Sequence, residues 1–294
     1  MSHEMTAIFE NAPAKINLTL EILGRRADGY HELRSLVVFA HACADRVSLD
    51  LSKAPGVSVS GPFGATIEGA NLLSKVLALL RENEPRLRLG AIALVKNLPV
   101  ASGIGGGSAD AAAALRLIRG ANPELAGALD WAALAARVGA DVPVCLESAP
   151  SLMSGVGDVT EPVAVFPRLA GVLVNPLVAV AADKTARVFR QLGAPALAAP
   201  VVRPPVPVLA SLDAVLGYML VRPNGLSGAA IEVVPEIAIV LAQVAALPGC
   251  RIARLSGAGP TCFGLFDTFD QARAAAGQLS AGRPDWWIKP ARLG

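Results

Sequence analysis

Apolar and polar positions alternate loosely over residues 6–21, the period-two pattern of a strand, strongest in Ala7-Ile8-Phe9 and again from Ile16 to Leu20. Residues 35–51 are apolar and β-rich, and residues 53–69 are broken up by Gly, Pro and Ser into short strands or loops. Helical spacing replaces alternation over residues 71–81, with Asn71 in the N-cap position, and over residues 130–138, with Asp130 in that role. Between them residues 87–95 read as a strand that runs through Lys96 and Pro99 into a glycine-rich loop. Beyond residue 163 the pattern predicts strand, turn and strand to 180, a helix over 183–192, and an Ala/Pro-rich linker over 193–207. Helices over 209–220 and 235–246 follow. Then come strands over 251–255 and 262–266, a helix over 270–279 and a strand over 286–290. No solenoid-type repeat is present. Two strand–helix units of antiparallel texture after residue 163 predict a separate α+β sandwich.

The loop at Gly103-Ile104-Gly105-Gly106-Gly107 runs straight into an alanine-rich helix former, residues 108–119, with Ser108 as its expected cap. So many glycines bring no packing side chains, and their use is to bring backbone N–H groups close to a ligand. A helix N-terminus adds unpaired donors and the positive end of the dipole, so the stretch reads as an anion site suited to a phosphate chain. It matches neither common fingerprint: a dinucleotide motif started at Gly103 would need glycine where Ser108 stands, and the loop has no P-loop lysine.

Four other places carry candidate chemistry. Lys15 and Asn17 are two apart and share a strand face, and the bare pattern favours a solvated face over a site. Tyr30 and His31 follow an Asp-Gly turn; the spacing favours a core aromatic, the alternative being stacking on a base. Asp141 precedes Val142-Pro143, which reads as a helix-to-strand junction where the carboxylate serves as a turn residue or as a group held in a pocket. Ser256-Gly257-Ala258-Gly259-Pro260-Thr261 is a second glycine turn between strands.

Composition narrows the class. The 294 residues are 53% hydrophobic and 17% charged, enough for one large or two medium domains with a real core. A net charge of +2 gives no reason to expect nucleic acid or a membrane surface. Cys43, Cys145, Cys250 and Cys262 form no C-x-x-C pair and read as buried thiols of a reducing compartment. The first residues lack a basic region followed by an apolar core, and no apolar stretch reaches membrane-spanning length, so the expectation is a cytoplasmic protein, a monomer or weak homodimer.

Three stretches together carry a resemblance that none carries alone. They are Ala12 to Leu18 with Arg25 to Leu33, the loop from Pro99 to Ala112, and Arg254 to Thr261. In order and spacing the chain resembles the GHMP small-molecule kinases over nearly its whole length. The first stretch and Gly139 to Pro143 are similar to the branch whose alcohol substrate carries a cytidine diphosphate. The resemblance implies an α+β, two-domain GHMP kinase architecture. An N-terminal ribosomal-protein-S5-domain-2-like domain would occupy residues 1–162, and a C-terminal ferredoxin-like α/β sandwich residues 163–294. It implies transfer of the γ-phosphate of ATP, with Mg²⁺, to a hydroxyl of that small molecule in the non-mevalonate route to isoprenoid precursors. The alternatives are a sister kinase for homoserine or mevalonate and a nucleotide-binding protein without catalysis.

The same resemblance assigns residues. Lys15 and Asp141 are the catalytic pair, the carboxylate accepting the hydroxyl proton or orienting the hydroxyl, and the ammonium holding the carboxylate ionised and stabilising charge. Lys96, Pro99, Val100, Ala101, Ser102, Gly103, Ile104, Gly105, Gly106, Gly107, Ser108 and Ala109 surround the ATP phosphates. Asn17, Tyr30, His31, Gly257 and Gly259 contact the substrate, with the aromatic pair on the cytidine. Two departures stand out. Ala109 replaces a second serine, which leaves Ser108 as the one candidate Mg²⁺ ligand in the loop, and Asn224-Gly225-Leu226-Ser227 lacks the acidic residues of its counterpart.

Overall fold

The structure is a computed structural model and describes residues 7–66, 71–199, 201 and 205–294. Residues 1–6, 67–70, 200 and 202–204 lie outside it, and with them the leader reading, the first residue of the expected opening strand, and parts of the 53–69 and 193–207 segments. The chain forms two compact units that interleave along the sequence. One comprises Met1–Ala14, Cys43–Val100 and Gly105–Ser148; the other Lys15–Ala42, Ala101–Ile104 and Ala149–Gly294. The strands β1 (Ile8–Asn17) and β3 (His31–Asp50) each contribute to both, so the units are not separated by a single cut in the sequence.

In the first unit the end of β3 pairs antiparallel with β5 (Ala91–Val95), which pairs in parallel with β4 (Gly56–Ser60). Burial alternates along the end of β3: Cys43, Asp45, Val47 and Leu49 face inward. Helix α1 (Leu72–Asn83) starts at Asn71, whose Oδ1 accepts from Ser74 N at 3.0 Å. Helix α3 (Trp131–Val138) starts at Asp130, whose Oδ1 accepts from Ala133 N at 2.9 Å. Both caps are the ones the sequence predicts. They and α4 (Val142–Glu147) pack around α2 (Gly106–Ala121). Ala109 and Ala111 to Ala114 are all buried on α2, and side chains this small let helices approach from several sides.

Two expectations fail here. Helix α2 begins two residues before Ser108, with Gly105 as N-cap at φ 64°, so Ser108 sits inside the first turn. A strand after Asp141 does not form either. Pro143 lies in the first turn of α4, where its missing N–H is one the helix would leave unpaired anyway. Proline read as a breaker is in fact a helix start.

In the second unit the start of β3 pairs antiparallel with β2 (Glu21–Arg25) and β6 (Ser151–Gly155), and β6 with β7 (Val159–Pro162). A second sheet holds β8 (Leu169–Asn175), β9 (Ile252–Leu255), β10 (Cys262–Phe266) and β11 (Trp287–Leu293). It is antiparallel in the order β11-β8-β10-β9. Counted within this sheet, the order is fourth, first, third, second, with helices in both crossovers, which is the ferredoxin-like arrangement. Helices α8 (Glu236–Ala245) and α9 (Phe269–Gly282) pack on it. Their inward faces join Val172, Val174 and Phe266 in one apolar core. Helix α5 (Lys184–Leu192) packs on α7 (Ser227–Val233), and on α6 (Leu212–Leu220), between them in the chain, Val215 and Met219 are fully buried. Helix α7 and the absence of a strand over 177–180 differ from the expected pattern; Leu177 at φ 52° turns the chain instead.

Candidate functional site

In the first unit the polar centre lies beneath the start of α2. The last inward residues of β5 and the end of β3 bring Lys96 and Asp45 together, and the first turns of α2 add Asp110. Lys96 Nζ donates to Asp45 Oδ2 at 2.5 Å and to Asp110 Oδ2 at 2.7 Å, with all three side chains at most 5% exposed. Asp45 Oδ1 accepts from the backbone of Asn97 at 2.6 Å and Leu98 at 2.8 Å. Burial draws the Lys96 pKa down, but the two carboxylates outweigh it and the ammonium is held above its ordinary value. Burial, set against Lys96 and reinforced by Asp45, moves Asp110 up, and its Oδ1 has no partner among the described residues. Lys96 is therefore a buried strut rather than a solvated residue.

Directly above it, the first turn of α2 is open. Gly105 has no side-chain cap to offer, the first turn has no acidic residue, and Ala109 N is the first to donate back, to Gly105 O at 2.9 Å. Among the described residues the amides of Gly106, Gly107 and Ser108 are thus the helix's unpaired donors. Gly106 has to be glycine for a local reason: a Cβ there would stand 3.0 Å from Lys96 Nζ. Ala101 and Gly103 also hold left-handed conformations, φ 52° and 80°. Asp141 occupies the N-cap position of α4, half-buried, and makes no capping bond with its carboxylate.

In the second unit the solvated reading of β1 is overturned: Lys15 is 3% and Asn17 5% exposed. Asn17 Nδ2 donates to Ser35 Oγ at 2.7 Å, and Asn17 N donates to Ser256 Oγ at 3.1 Å. Lys15 N donates to Ile104 O at 2.9 Å. Ser256 Oγ donates to Gly103 O at 3.0 Å, and Thr261 N to Ser102 O at 3.0 Å. The Ser256–Thr261 turn thus carries the tip of the glycine loop, residues 101–104. Gly103 fits there because a Cβ would meet Ser256 O at 2.5 Å.

Tyr30 is 65% exposed, which overturns the core-aromatic reading. It closes the turn in which Arg26 N donates to Tyr30 O at 2.7 Å. His31 lies against Phe189 of α5 with ring centroids 4.8 Å apart. Burial, and then the Arg25 charge, lower the His31 pKa, so the ring is neutral near pH 7 and presents one donor and one acceptor. Asn224, in the segment that lacks acidic residues, is buried. Its Nδ2 donates to Leu255 O at 2.9 Å and Gly257 O at 2.8 Å, and its Oδ1 accepts from Leu226 N at 2.9 Å. Its work is to hold the glycine turn, and that needs an amide rather than a carboxylate.

Sequence reasoning missed Asp45, Asp110, Phe189 and Lys184. A signal existed for Asp45, which falls on the inward face with Cys43, Val47 and Leu49.

Comparison with known proteins places this arrangement. Residues 71–149 match the family described as GHMP kinases N terminal domain, and residues 216–284 the one described as GHMP kinases C terminal. A 4-diphosphocytidyl-2-C-methyl-D-erythritol kinase of Rhodopseudomonas palustris (strain HaA2) is 47% identical, over 98% of this chain and 99% of that protein. One of Parvibaculum lavamentivorans is 44% identical over 98% of each. A crystal structure of 4-(cytidine 5'-diphospho)-2C-methyl-D-erythritol kinase superposes with a TM-score of 0.74 at 31% identity, over 98% of this chain and 99% of that one. A homoserine kinase from Cytophaga hutchinsonii, at 17% identity and a TM-score of 0.68, shares the fold. On full-length likeness, both family matches and the ferredoxin-like sheet, the chain belongs to the GHMP kinases, in the family of the 4-diphosphocytidyl-2-C-methyl-D-erythritol kinases.

Proposed function

We propose that this kinase transfers the γ-phosphate of ATP to the 2-hydroxyl of 4-diphosphocytidyl-2-C-methyl-D-erythritol, giving the 2-phosphate and ADP. The full-length likeness to the relatives named above carries the choice of substrate. The open first turn of α2 supports the choice of donor, since it offers the Gly106, Gly107 and Ser108 amides and the positive end of a 16-residue helix to a phosphate chain. The rest of the loop, from Pro99 to Ala109, would follow the phosphates. Lys96 would act from beneath, because its ammonium is spent on Asp45 and Asp110.

Phosphoryl transfer asks a protein mainly for position and charge stabilisation. In this reading Asp141 accepts the proton of the attacking hydroxyl, and the Lys15 ammonium offsets negative charge that builds on the transferring group. Neutral His31, with Phe189 against it and Tyr30 beside it in the chain, suits the edge and face of a cytosine. Asn17, Gly257 and Gly259 hold the surrounding turn and its contacts to the alcohol.

Mg²⁺ fits as an ion that arrives with the nucleotide. Among the described residues no group of three His, Cys, Asp or Glu side chains converges, and Asp45 and Asp110 face Lys96. An ion that keeps waters and phosphate oxygens needs no more than the Ser108 hydroxyl from the loop. When bound it would neutralise charge shared between the phosphates. No helix among the described residues is long and apolar enough to cross a membrane. The reading includes a cytoplasmic setting, a monomer or weak homodimer, no nucleic-acid partner, and family domains at residues 1–162 and 163–294.

The test is ADP release with ATP, Mg²⁺ and the diphosphocytidyl alcohol, comparing the native chain with Asp141→Asn. Turnover that falls by about two to four orders of magnitude in the variant, with nucleotide still bound, is the expected result. A native chain inactive on this alcohol but active on homoserine or mevalonate would overturn the substrate.

A further inference from the structure

Lys184, the first residue of α5, is among the largest fully buried side chains of the protein, at 2% exposure. A lysine usually lets its ammonium reach water. This one ends on two backbone carbonyls: Nζ donates to Ala258 O at 3.0 Å and, closer still, to Gly259 O. It makes no ion pair among the described residues, and burial alone lowers its pKa to about 8. A buried cation without a counter-charge is costly to fold. Packing does not explain it, since an apolar chain of the same length would fill the space without that cost.

What it touches suggests the reason. The carbonyls of Gly257, Ala258 and Gly259 are successive in the glycine turn. Asn224 Nδ2 holds the first and Lys184 Nζ the next two. All three are thereby held by side-chain donors from outside the turn. Ser256 and Thr261 close its base through Ser256 N to Thr261 O at 2.9 Å. The same two residues carry the glycine-loop tip, through Ser256 Oγ to Gly103 O and Thr261 N to Ser102 O. Lys184 is thus two hydrogen-bonded steps from the tip, and it stands on the helix that presents Phe189 to His31.

We propose that Lys184 is a positioning residue: its ammonium fixes the Ala258 and Gly259 carbonyls of the Ser256–Thr261 turn and so sets the conformation of the Ser102–Gly103 tip that the nucleotide meets. The kinetic half of this proposal rests on the kinase reading above; the structural half does not. Lys184 itself touches neither ATP nor the alcohol. Its loss acts through the turn, so it weakens both the nucleotide, whose loop tip the turn carries, and the alcohol, which the turn itself contacts.

The experiment is backbone hydrogen exchange together with steady-state kinetics on Lys184→Met, which keeps the apolar stem and removes the donors. Peptides covering residues 99–107 and 256–261 should exchange about tenfold faster than in the native chain, a loss of local protection of about 1.4 kcal/mol, with α1, α3 and α9 unchanged. KM for ATP and KM for the alcohol should both rise by a similar factor, while kcat falls by less than about twofold. Lys184→Gln, which keeps one uncharged donor, should fall between, and it carries the test if the methionine variant does not fold. Native exchange in both peptides would overturn the proposal, as would faster exchange spread evenly over the chain, which marks a merely structural role. Native KM values for both substrates, or a loss confined to kcat, would overturn its kinetic half. If the native chain does not phosphorylate the alcohol, the exchange result still stands or falls alone.

Discussion

Lys96 and Asp110 form a buried ion pair, Nζ to Oδ2 at 2.7 Å, under the first turn of α2, and Asp45 closes it from the other side at 2.5 Å. Two carboxylates share one ammonium, so the partners are not equivalent. Removing Lys96 leaves two buried carboxylates facing each other. Replacing Asp110 by its amide leaves a neutral donor and acceptor beside an intact Lys96–Asp45 pair. Lys96→Met should therefore cost about 3–5 kcal/mol in urea unfolding, and Asp110→Asn about 1–2 kcal/mol. The reverse order would mean that Asp110 rather than Lys96 is the keystone of the cluster.

The glycines of the loop are predicted to separate by sign. Gly103 has φ +80°, and a Cβ there meets Ser256 O at 2.5 Å and Gly259 N at 2.7 Å, backbone atoms that cannot swing away. Gly103→Ala should cost at least about 2 kcal/mol. Gly107 lies in the first turn of α2, where among the described residues a Cβ meets only Leu72 Cδ1, at an ordinary 3.7 Å. Gly107→Ala should stabilise the helix by about 0.5–1 kcal/mol, seen as a melting point higher by roughly 1–2 °C. If the phosphates lie on this turn, KM for ATP rises in the same variant. A more stable protein with unchanged KM for ATP would move the phosphates elsewhere.

Much of this was legible before the fold was known, and for local reasons. Asn71 and Asp130 cap helices because the signal, a short polar acceptor before an apolar-periodic run, is contained in a few residues. The glycine loop advertised an open helix end. What failed depended on partners far away in sequence. Pro143 fits a helix start and a helix stop equally well until its neighbours are seen. Lys15 and Asn17 read as solvated because nothing in residues 6–21 reveals that Ser256 and Ser35 will cover Asn17. Asp45 hid inside an apolar strand, although its inward parity with Val47 was available to a stricter reading of period two.

Asn224 opens the segment whose counterpart's acidic residues are Gly225 and Ser227 here, and its own amide does a structural job. Its amide bridges Leu255 O and Gly257 O while its carbonyl accepts from Leu226 N. Asn224→Ala strands two buried carbonyls and should cost on the order of 2–3 kcal/mol. Asn224→Asp keeps the acceptor but sets a negative charge against two carbonyl oxygens, so it should be at least as harmful. Thermal melts of the pair check this; an aspartate variant near native stability would show that the segment tolerates an acidic residue.

The Lys184 ammonium predicts a pH dependence whose sign differs from that of an ion-paired lysine. Unfolded, the group titrates near 10.5; folded, burial lowers it to about 8. Below pH 8 both states are protonated, and the fold carries the whole cost of the buried charge. Between about 8 and 10.5 the folded state holds fewer protons than the unfolded one, so this group's contribution to stability rises with pH and levels off above the unfolded value. Lys184→Met has no such slope, and the other titrating groups cancel in a difference between the two proteins. The unfolding free energy of the native chain minus that of the variant should climb by about 3 kcal/mol from pH 7 to pH 11. A difference that falls over this range would require a carboxylate partner that raises the lysine's pKa, and would remove the buried, unpaired ammonium from the account of the glycine turn.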